Sequence, residues 1–299
     1  MELNFNEIKH TLSANELRQY SECARKRYYS SRDYLAIRST KPNASLELGT
    51  AIHRMLEYYY TQGYQKIVQG NDVESALNSL EDFIPENIEN IDAVTFNCIK
   101  KCYREYFEQD LERYEIIGTE QEFNLSDWPI IGVQYHGQID MVVIDKESGK
   151  LMFFEHKTCK DFRPEIYNRF DIQLHIYSEY GRQLAYMMDL EWGGVILNEI
   201  KKAKTERGFA VHRMYYLYDD EESLSFFKWI TKKTIGVVSP NNEHEPCNNY
   251  MTCKMCDYAP ICLQYGYTVP QSSKEIEEMK DEEGQVLYKY DPRDLEEDS

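Results

Sequence analysis

VQYHGQIDMVVID, residues 133–145, is followed by KESG at 146–149 and KLMFFE at 150–155, and this stretch decides how the chain is built. The first run is rich in β-branched residues, Lys146 to Gly149 has turn chemistry, and Lys150 to Glu155 resumes an apolar run, so a β-hairpin is predicted. With the turn centred between Glu147 and Ser148, Asp140 and Glu155 lie equally far from it and become cross-strand neighbours. Side chains alternate faces along a strand, which sends Lys157 to the same side as Glu155 and Phe154 and His156 to the other.

Two acids held this close repel, and one pKa rises unless something positive sits between them. A hard divalent cation with oxygen ligands is the usual solution, which points to Mg²⁺ or Mn²⁺. Such an ion polarises a phosphoryl oxygen and acidifies a bound water, while a neighbouring lysine orients that water or balances developing charge. Taken alone, a Glu-x-Lys on a strand is a weak signal and more often a surface ion pair; the flanking sequence gives it weight.

Ahead of the hairpin, LELGTAIHRMLEYYY (residues 46–60) has helical spacing, with Leu48, Ile52, Met55 and Leu56 as an apolar stripe and Asn43 or Ser45 as the N-cap. Gly49 and His53 are one turn apart there; a glycine permits close approach to the helix, and the imidazole beside it can ligate a metal. Beyond the hairpin, DIQLHIY (171–177) is again helical, and Gln173 and Tyr177 share a face.

The ordered series Gly49-x3-His53, Gly137-x2-Asp140, Glu155-x-Lys157 and Gln173-x3-Tyr177 resembles the PD-(D/E)XK nuclease superfamily, in the RecB-like branch that includes AddB-type domains, CRISPR-adaptation nucleases and phage exonucleases. The resemblance implies an α/β restriction-endonuclease-like core, a central mixed sheet flanked by helices. It implies His53, Asp140 and Glu155 as metal ligands, Lys157 as the catalytic lysine, and Gln173 and Tyr177 as supporting or DNA-contacting residues. Ile139 stands where the superfamily's name would place proline, and Glu120 or Glu122 is a candidate for an additional carboxylate. The implied activity is Mg²⁺- or Mn²⁺-dependent DNA cleavage, of exonuclease type, in recombination, repair or phage DNA processing. A CRISPR-adaptation accessory nuclease and a noncatalytic DNA-binding member of the fold are the alternatives. DNA is the expected partner, with a helicase, recombinase or integrase as possible protein partners.

Eight cysteines occur without a signal-peptide pattern or an apolar run long enough to span a membrane, so thiol or metal chemistry in the cytosol is expected over disulfides. Cys253-x2-Cys256-x5-Cys262 is a compact thiolate cluster in need of a fourth ligand. Cys247 would complete a local zinc knuckle, whereas Cys23 would tie the N-terminal segment to the C-terminal one. The segment LSANELRQYSECARKRYY (12–29) resembles the stretch that carries the first cluster cysteine in AddB-like nucleases, and this implies a [4Fe–4S] cluster on Cys23, Cys253, Cys256 and Cys262, with Zn²⁺ as the alternative. Cys98, Cys102 and Cys159 read as core thiols.

With 299 residues, 42% hydrophobic, the chain can bury a sizeable core. The expected organisation is one nuclease domain over 1–268, with a helical insertion at about 54–118 and cluster-binding segments near 23 and 247–262. An acidic extension is expected over 269–299. Strands are also expected at 193–198 and 210–218, and a helix at 223–235. The net charge of −18 runs against phosphate binding, but residues 270–299 contribute −7 of it, while residues 1–41 hold eight bases against five acids. Arg25, Lys26 and Arg27 are therefore read as cations that could guide a strand.

Overall fold

The computed structural model describes residues 8–31, 34–40, 43–70, 72–78, 83–85, 91–239, 244–247, 249–270, 272–277, 279–280 and 285–290. In chain order the elements begin with β1 (His10–Ser13), α1 (Ala14–Glu22), α2 (Ala24–Ser30), β2 (Ile37–Ser39) and α3 (Ala44–Tyr58). A π-helical turn (Tyr59–Gly63) leads to α4 (Tyr64–Val68), α5 (Val73–Asn78), α6 (Ala93–Cys102) and α7 (Arg104–Arg113). The strands β3 (Tyr114–Ser126), β4 (Val133–Asp145) and β5 (Leu151–Cys159) follow, then α8 (Glu165–Arg169), α9 (Ile172–Met187), β6 (Trp192–Lys201) and β7 (Val211–Tyr216). The chain continues through α10 (Asp220–Val238), α11 (Tyr250–Lys254), α12 (Ala259–Tyr265), α13 (Lys274–Glu277) and β8 (Tyr288–Tyr290). Two compact units result, one of residues 1–42, 126–135 and 227–299, the other of 43–125 and 136–226.

The second unit is built on a mixed sheet. β4 pairs with β5 antiparallel in the register Met141↔Phe154 and Val142↔Phe153, the alignment the hairpin spacing predicts. β5 then pairs parallel with β6, and β6 antiparallel with β7, while β3 pairs with β4. A parallel neighbour demands a crossover, which α8 and α9 supply. β5 is the central strand, buried from Leu151 through His156, and its apolar run reflects cover on both faces. Leu48, Ile52, Met55 and Leu56 of α3 join Phe96, Ile99, Phe107, Met141, Val143 and Phe154 in one core.

Local signals account for the ends of these helices. Asn43 caps α3 by accepting from the Leu46 amide at 3.1 Å, and Asp171 caps α9 by accepting from the Gln173 amide at 2.9 Å. Two of the motif glycines are close-approach positions. A Cβ on Gly49 would stand 3.3 Å from the Thr158 hydroxyl of β5, and one on Gly137 would meet the Phe123 ring at 2.8 Å.

β3 departs from the sequence expectation, since the helical region ends at Arg113 and a strand begins at Tyr114. Tyr114 and Ile116 are buried at even positions, but Phe123 and Leu125 are buried at odd ones. The phase changes around Glu120, which takes a left-handed φ of 47°. A slip of that kind erases the period-2 signature of a long strand.

In the first unit, Tyr28, Tyr29, Leu35, Ile37, Tyr258, Ile261, Ile276 and Tyr288 form a separate core, with Cys256 and Cys262 packed against it. Ser13 and Glu16 form a capping box at α1: the Ser13 hydroxyl accepts from the Glu16 amide, and the Glu16 carboxylate accepts from the Ser13 amide. Part of the segment read as an acidic extension belongs to this unit. β8 pairs with β2 through Ile37↔Tyr290 and Ser39↔Tyr288, and Ile276 is buried; residues 291–299 lie outside the described residues.

Candidate active site

All four motif groups come together in the second unit. Asp140 on β4 and Glu155 on β5 reach the same end of the sheet, where α3 brings His53 and the start of α9 brings Gln173 and Tyr177. His53 Nδ1 lies 3.3 Å from Asp140 Oδ1. The other Asp140 oxygen accepts the backbone N–H of His156 at 2.5 Å, which fixes the carboxylate against β5. Lys157 Nζ is 3.4 Å from Glu155 Oε1, 3.7 Å from Asp171 Oδ2 and 3.4 Å from Gln173 Oε1. Gln173 turns its amide nitrogen to Glu155 Oε2 at 3.0 Å and to the Tyr177 hydroxyl at 2.7 Å. Tyr177 in turn donates to the Gln138 carbonyl of β4. One amide thus ties the carboxylate, the ammonium and the phenol together.

Three donors could hold an ion between them. His53, Glu120 and Asp140 each offer one ligand atom, and these atoms lie within 4.8 Å of one another. The resemblance implies Glu155 as the third ligand beside His53 and Asp140; the structure instead gathers Glu120 with that pair and engages Glu155 with Gln173 and Lys157. Glu120 reaches the site because the left-handed backbone at that residue shifts the phase of β3.

The electrostatics are those of a cluster short of positive charge. Burial pushes the Glu155 carboxyl up and Asp140 adds to it, to about 7, against the lowering influence of Lys157 and His53. Glu120 is likewise raised to about 7 by burial and Asp140. Burial works against a charged His53, but the hydrogen bond and charge of Asp140, helped by Glu155 and Glu120, win and raise it to about 9. Asp140 itself is held low: burial opposes its ionisation, but His53 and the His156 amide outweigh it.

Behind Asp140 lies a polar network that no local motif reveals. His156 Nδ1 is 2.8 Å from the Asn198 amide nitrogen, which also donates to Tyr103 at 2.8 Å. Arg213 donates to Asn198 Oδ1 at 2.8 Å and forks onto Asp110, whose Oδ2 accepts from Tyr60 at 2.5 Å. Asp110 and Asn198 are buried, and paired buried charges of this sort lock a geometry more than they stabilise it. Asp171 was read only as part of a helix; its capping role and its contact with Lys157 emerge from the fold.

The candidate cluster cysteines, Cys23, Cys247, Cys253, Cys256 and Cys262, belong to the first unit. Cys23 sits between α1 and α2, and the Tyr29 hydroxyl is 3.8 Å from Cys262 Sγ. Burial raises the Cys256 pKa, with the nearby Cys262 and Cys23 adding to it, so these three thiols are within electrostatic reach of one another. Cys253 Sγ lies 3.8 Å from Cys247 Sγ. That is the edge of a zinc tetrahedron with bonds of about 2.3 Å. Among the described residues, though, no three thiols fall within 4.8 Å of one another, as a closed zinc knuckle requires. Cys98 and Cys102 share α6, with the Cys102 thiol raised to about 11 by burial and by Cys98, which keeps that thiol protonated.

The basic run beside Cys23 is structural. Arg25 is 2% exposed and donates to the carbonyls of His244, Gly266 and Tyr267; Arg27 is also 2% exposed and lies 3.8 Å from Glu16. Both guanidiniums are committed to holding the first unit, so the reading of Arg25 and Arg27 as strand-guiding cations is corrected; only Lys26 of the three stands at the surface, paired with Glu22 at 2.9 Å.

The family model of the PD-(D/E)XK nuclease superfamily matches residues 11–263, and the chain belongs to that superfamily. The mixed sheet flanked by helices is the fold the family implies. No curated protein matches the chain. The crystal structure of SSO0001 is similar over 85% of this chain and 86% of that one, at 16% identity and a TM-score of 0.38, a likeness too loose to bear on function. Among the described residues no helix is long and apolar enough to cross a membrane.

Proposed function

We propose that this chain is a divalent-cation-dependent deoxyribonuclease of the RecB-like branch, cutting phosphodiester bonds at DNA ends and carrying a [4Fe–4S] cluster. The observation that carries the reading is the intact chemistry around Glu155: the acid, Lys157, Gln173 and Tyr177 in one hydrogen-bonded set beside the His53, Glu120 and Asp140 donors. A noncatalytic descendant would have no reason to keep a half-exposed lysine against two acids.

His53, Glu120 and Asp140, with Glu155 adjoining, would hold Mg²⁺ or Mn²⁺; the donor set of one imidazole and hard carboxylate oxygens suits either ion. When bound, that ion supplies a Lewis acid for a phosphoryl oxygen and lowers the pKa of a water. The chain's own residues do the rest. Lys157, steered by Gln173 and Asp171, presents its ammonium to the phosphate and balances the charge that grows as the water oxygen bonds to phosphorus and the bond to the sugar oxygen breaks. Gln173 and Tyr177 hold the lysine and Glu155 in register, so little reorganisation remains for the reaction.

Cys23, Cys253, Cys256 and Cys262 are the proposed cluster ligands; Cys256 and Cys262 pack on one core and Cys23 acts on Cys256 electrostatically, while the Cys247–Cys253 pair is the one a zinc site would use. Mn²⁺-dependent digestion of end-labelled DNA tests the nuclease reading, with Lys157→Ala expected to lose at least about a hundredfold in rate at unchanged fold. Full activity in that variant would remove the lysine's role. Anaerobic purification with iron and zinc analysis tests the cluster.

A further inference from the structure

The connection from β5 to α9 joins two functional groups, Lys157 and Asp171, and between them lies an unusual surface. Ile166 is 58% exposed, Tyr167 70% and Phe170 72%. Three large apolar side chains in five residues are all turned to water and belong to neither core.

The backbone beneath them is held firmly. Asn168 is buried and its amide faces Met214 Sδ, Arg169 pairs with Glu222 at 2.6 Å, and the Arg169 carbonyl is 3.0 Å from His175 Nε2. The Asp171 amide donates to the Asn168 carbonyl at 3.0 Å, so Phe170 precedes directly the residue whose carboxylate touches Lys157. The rings are therefore presented outwards by a pinned turn, next to the reacting groups.

Cations rim the same edge. The parallel register sets Lys201 of β6 beside Cys159 at the end of β5, and the Lys202 amide donates to the Cys159 carbonyl. Lys160 and Arg163 are exposed on the connection itself. Lys201 lies 4.0 Å from Asp161, an exposed pair that a phosphate can displace, and the connection also carries Glu165, so in a chain of net charge −18 this edge is locally balanced, with cations in reach. A second exposed apolar group, Tyr186, Met187 and Met188, ends α9, but the helix's sixteen residues place it about 24 Å along the axis from the site.

Flat π-faces beside cations, at the mouth of a phosphodiester-cleaving centre, fit one occupant: a nucleic-acid strand whose bases are unpaired and free to stack. We infer that Ile166, Tyr167 and Phe170 form a base-stacking platform that receives unpaired nucleotides of the DNA strand entering the site, with Lys160, Arg163 and Lys201 on its phosphates. The inference rests on the nuclease reading and assigns single-stranded ends as the substrate. Duplex bases are stacked on one another and leave the rings nothing to bind.

The test compares full-length protein with the double variant Tyr167→Ala/Phe170→Ala, whose exposed positions leave melting unchanged. Binding is read by fluorescence anisotropy of a labelled oligothymidylate, an abasic strand of equal length and a blunt duplex, with Ca²⁺ in place of Mn²⁺. The double variant should bind oligothymidylate at least about tenfold more weakly and the abasic strand as the parent does. In Tyr167→Trp, the added indole fluorescence should be quenched by oligothymidylate and not by the abasic strand. Equal losses on both strands, or undiminished binding of oligothymidylate, would overturn the platform and leave the patch to a protein partner. Because binding is read without cleavage, a protein that binds in this pattern yet cuts nothing refutes the nuclease reading alone.

Discussion

His53, Glu120 and Glu155 set the pH behaviour of the site at the scale of single residues. With His53 raised to about 9 and both glutamates raised to about 7, an ion entering at neutral pH must displace protons from the imidazole and partly from the carboxylates. Calorimetric titration with Mn²⁺ in buffers of different ionisation enthalpy should show at least about one proton released near pH 7, and affinity that climbs between about pH 6 and about pH 9. Without a cation the signs reverse the usual carboxylate pattern. A glutamate whose folded pKa is raised makes the folded form hold its proton, so stability falls as pH climbs from the ordinary 4.5 to about 7. His53, also raised, contributes stability that is present below its ordinary 6.5 and lost as pH passes about 9. Chemical denaturation across that range, with and without Mn²⁺, checks both; a rise in stability from pH 5 to pH 7 without cation would contradict the assignment.

The element scale shows why half of this site was readable in the sequence. The turn residues Lys146 to Gly149 set the hairpin register, and a register that aligns Met141 with Phe154 carries Asp140 to the edge where Glu155 and Lys157 emerge. Helical spacing did the same for His53 and for Gln173 with Tyr177, because residues one turn apart share a face. Glu120 was only a loose candidate, since its place depends on the phase shift at a left-handed residue inside β3. Asp110, Asn198 and Arg213 were illegible because they meet only when β6, β7 and α7 pack together, and nothing local encodes that. Arg25 and Arg27 misled for the opposite reason, as a basic run reads as surface while their fold buries them. Gly137 provides the test at this scale. A Cβ at 2.8 Å from the Phe123 ring must displace it, and Gly137→Ala should cost about 1–3 kcal/mol in urea denaturation. An unchanged midpoint would show that β3 gives way freely.

Across the whole molecule, the proposed chemistry is divided between two compact units: the hydrolytic centre falls in residues 43–125 and 136–226, and the proposed thiol ligands in residues 1–42, 126–135 and 227–299. The proposed ligation would tie residue 23 to residues 253–262 and close a very long loop, and so would stabilise by constraining the unfolded chain. Cys256→Ala should lose iron and visible absorbance together, and its unit should become protease-sensitive before the other does. Limited proteolysis with mass spectrometry reads this directly; early cutting between 136 and 226 would contradict it. The strongly negative total charge and the few cations at the edge near β5 also predict that DNA affinity falls with salt through few phosphate contacts, giving a shallow slope in log–log titration.

In the proposed centre an imidazole and carboxylates converge upon a single divalent ion. Anomalous diffraction from crystals grown with Mn²⁺ tests it most directly. The predicted result is one strong peak within bonding distance of His53, Glu120 and Asp140, at the end of the sheet where Glu155 and Lys157 emerge. A manganese bound elsewhere, with His53 still hydrogen-bonded to Asp140 and no density between them and Glu120, would contradict it.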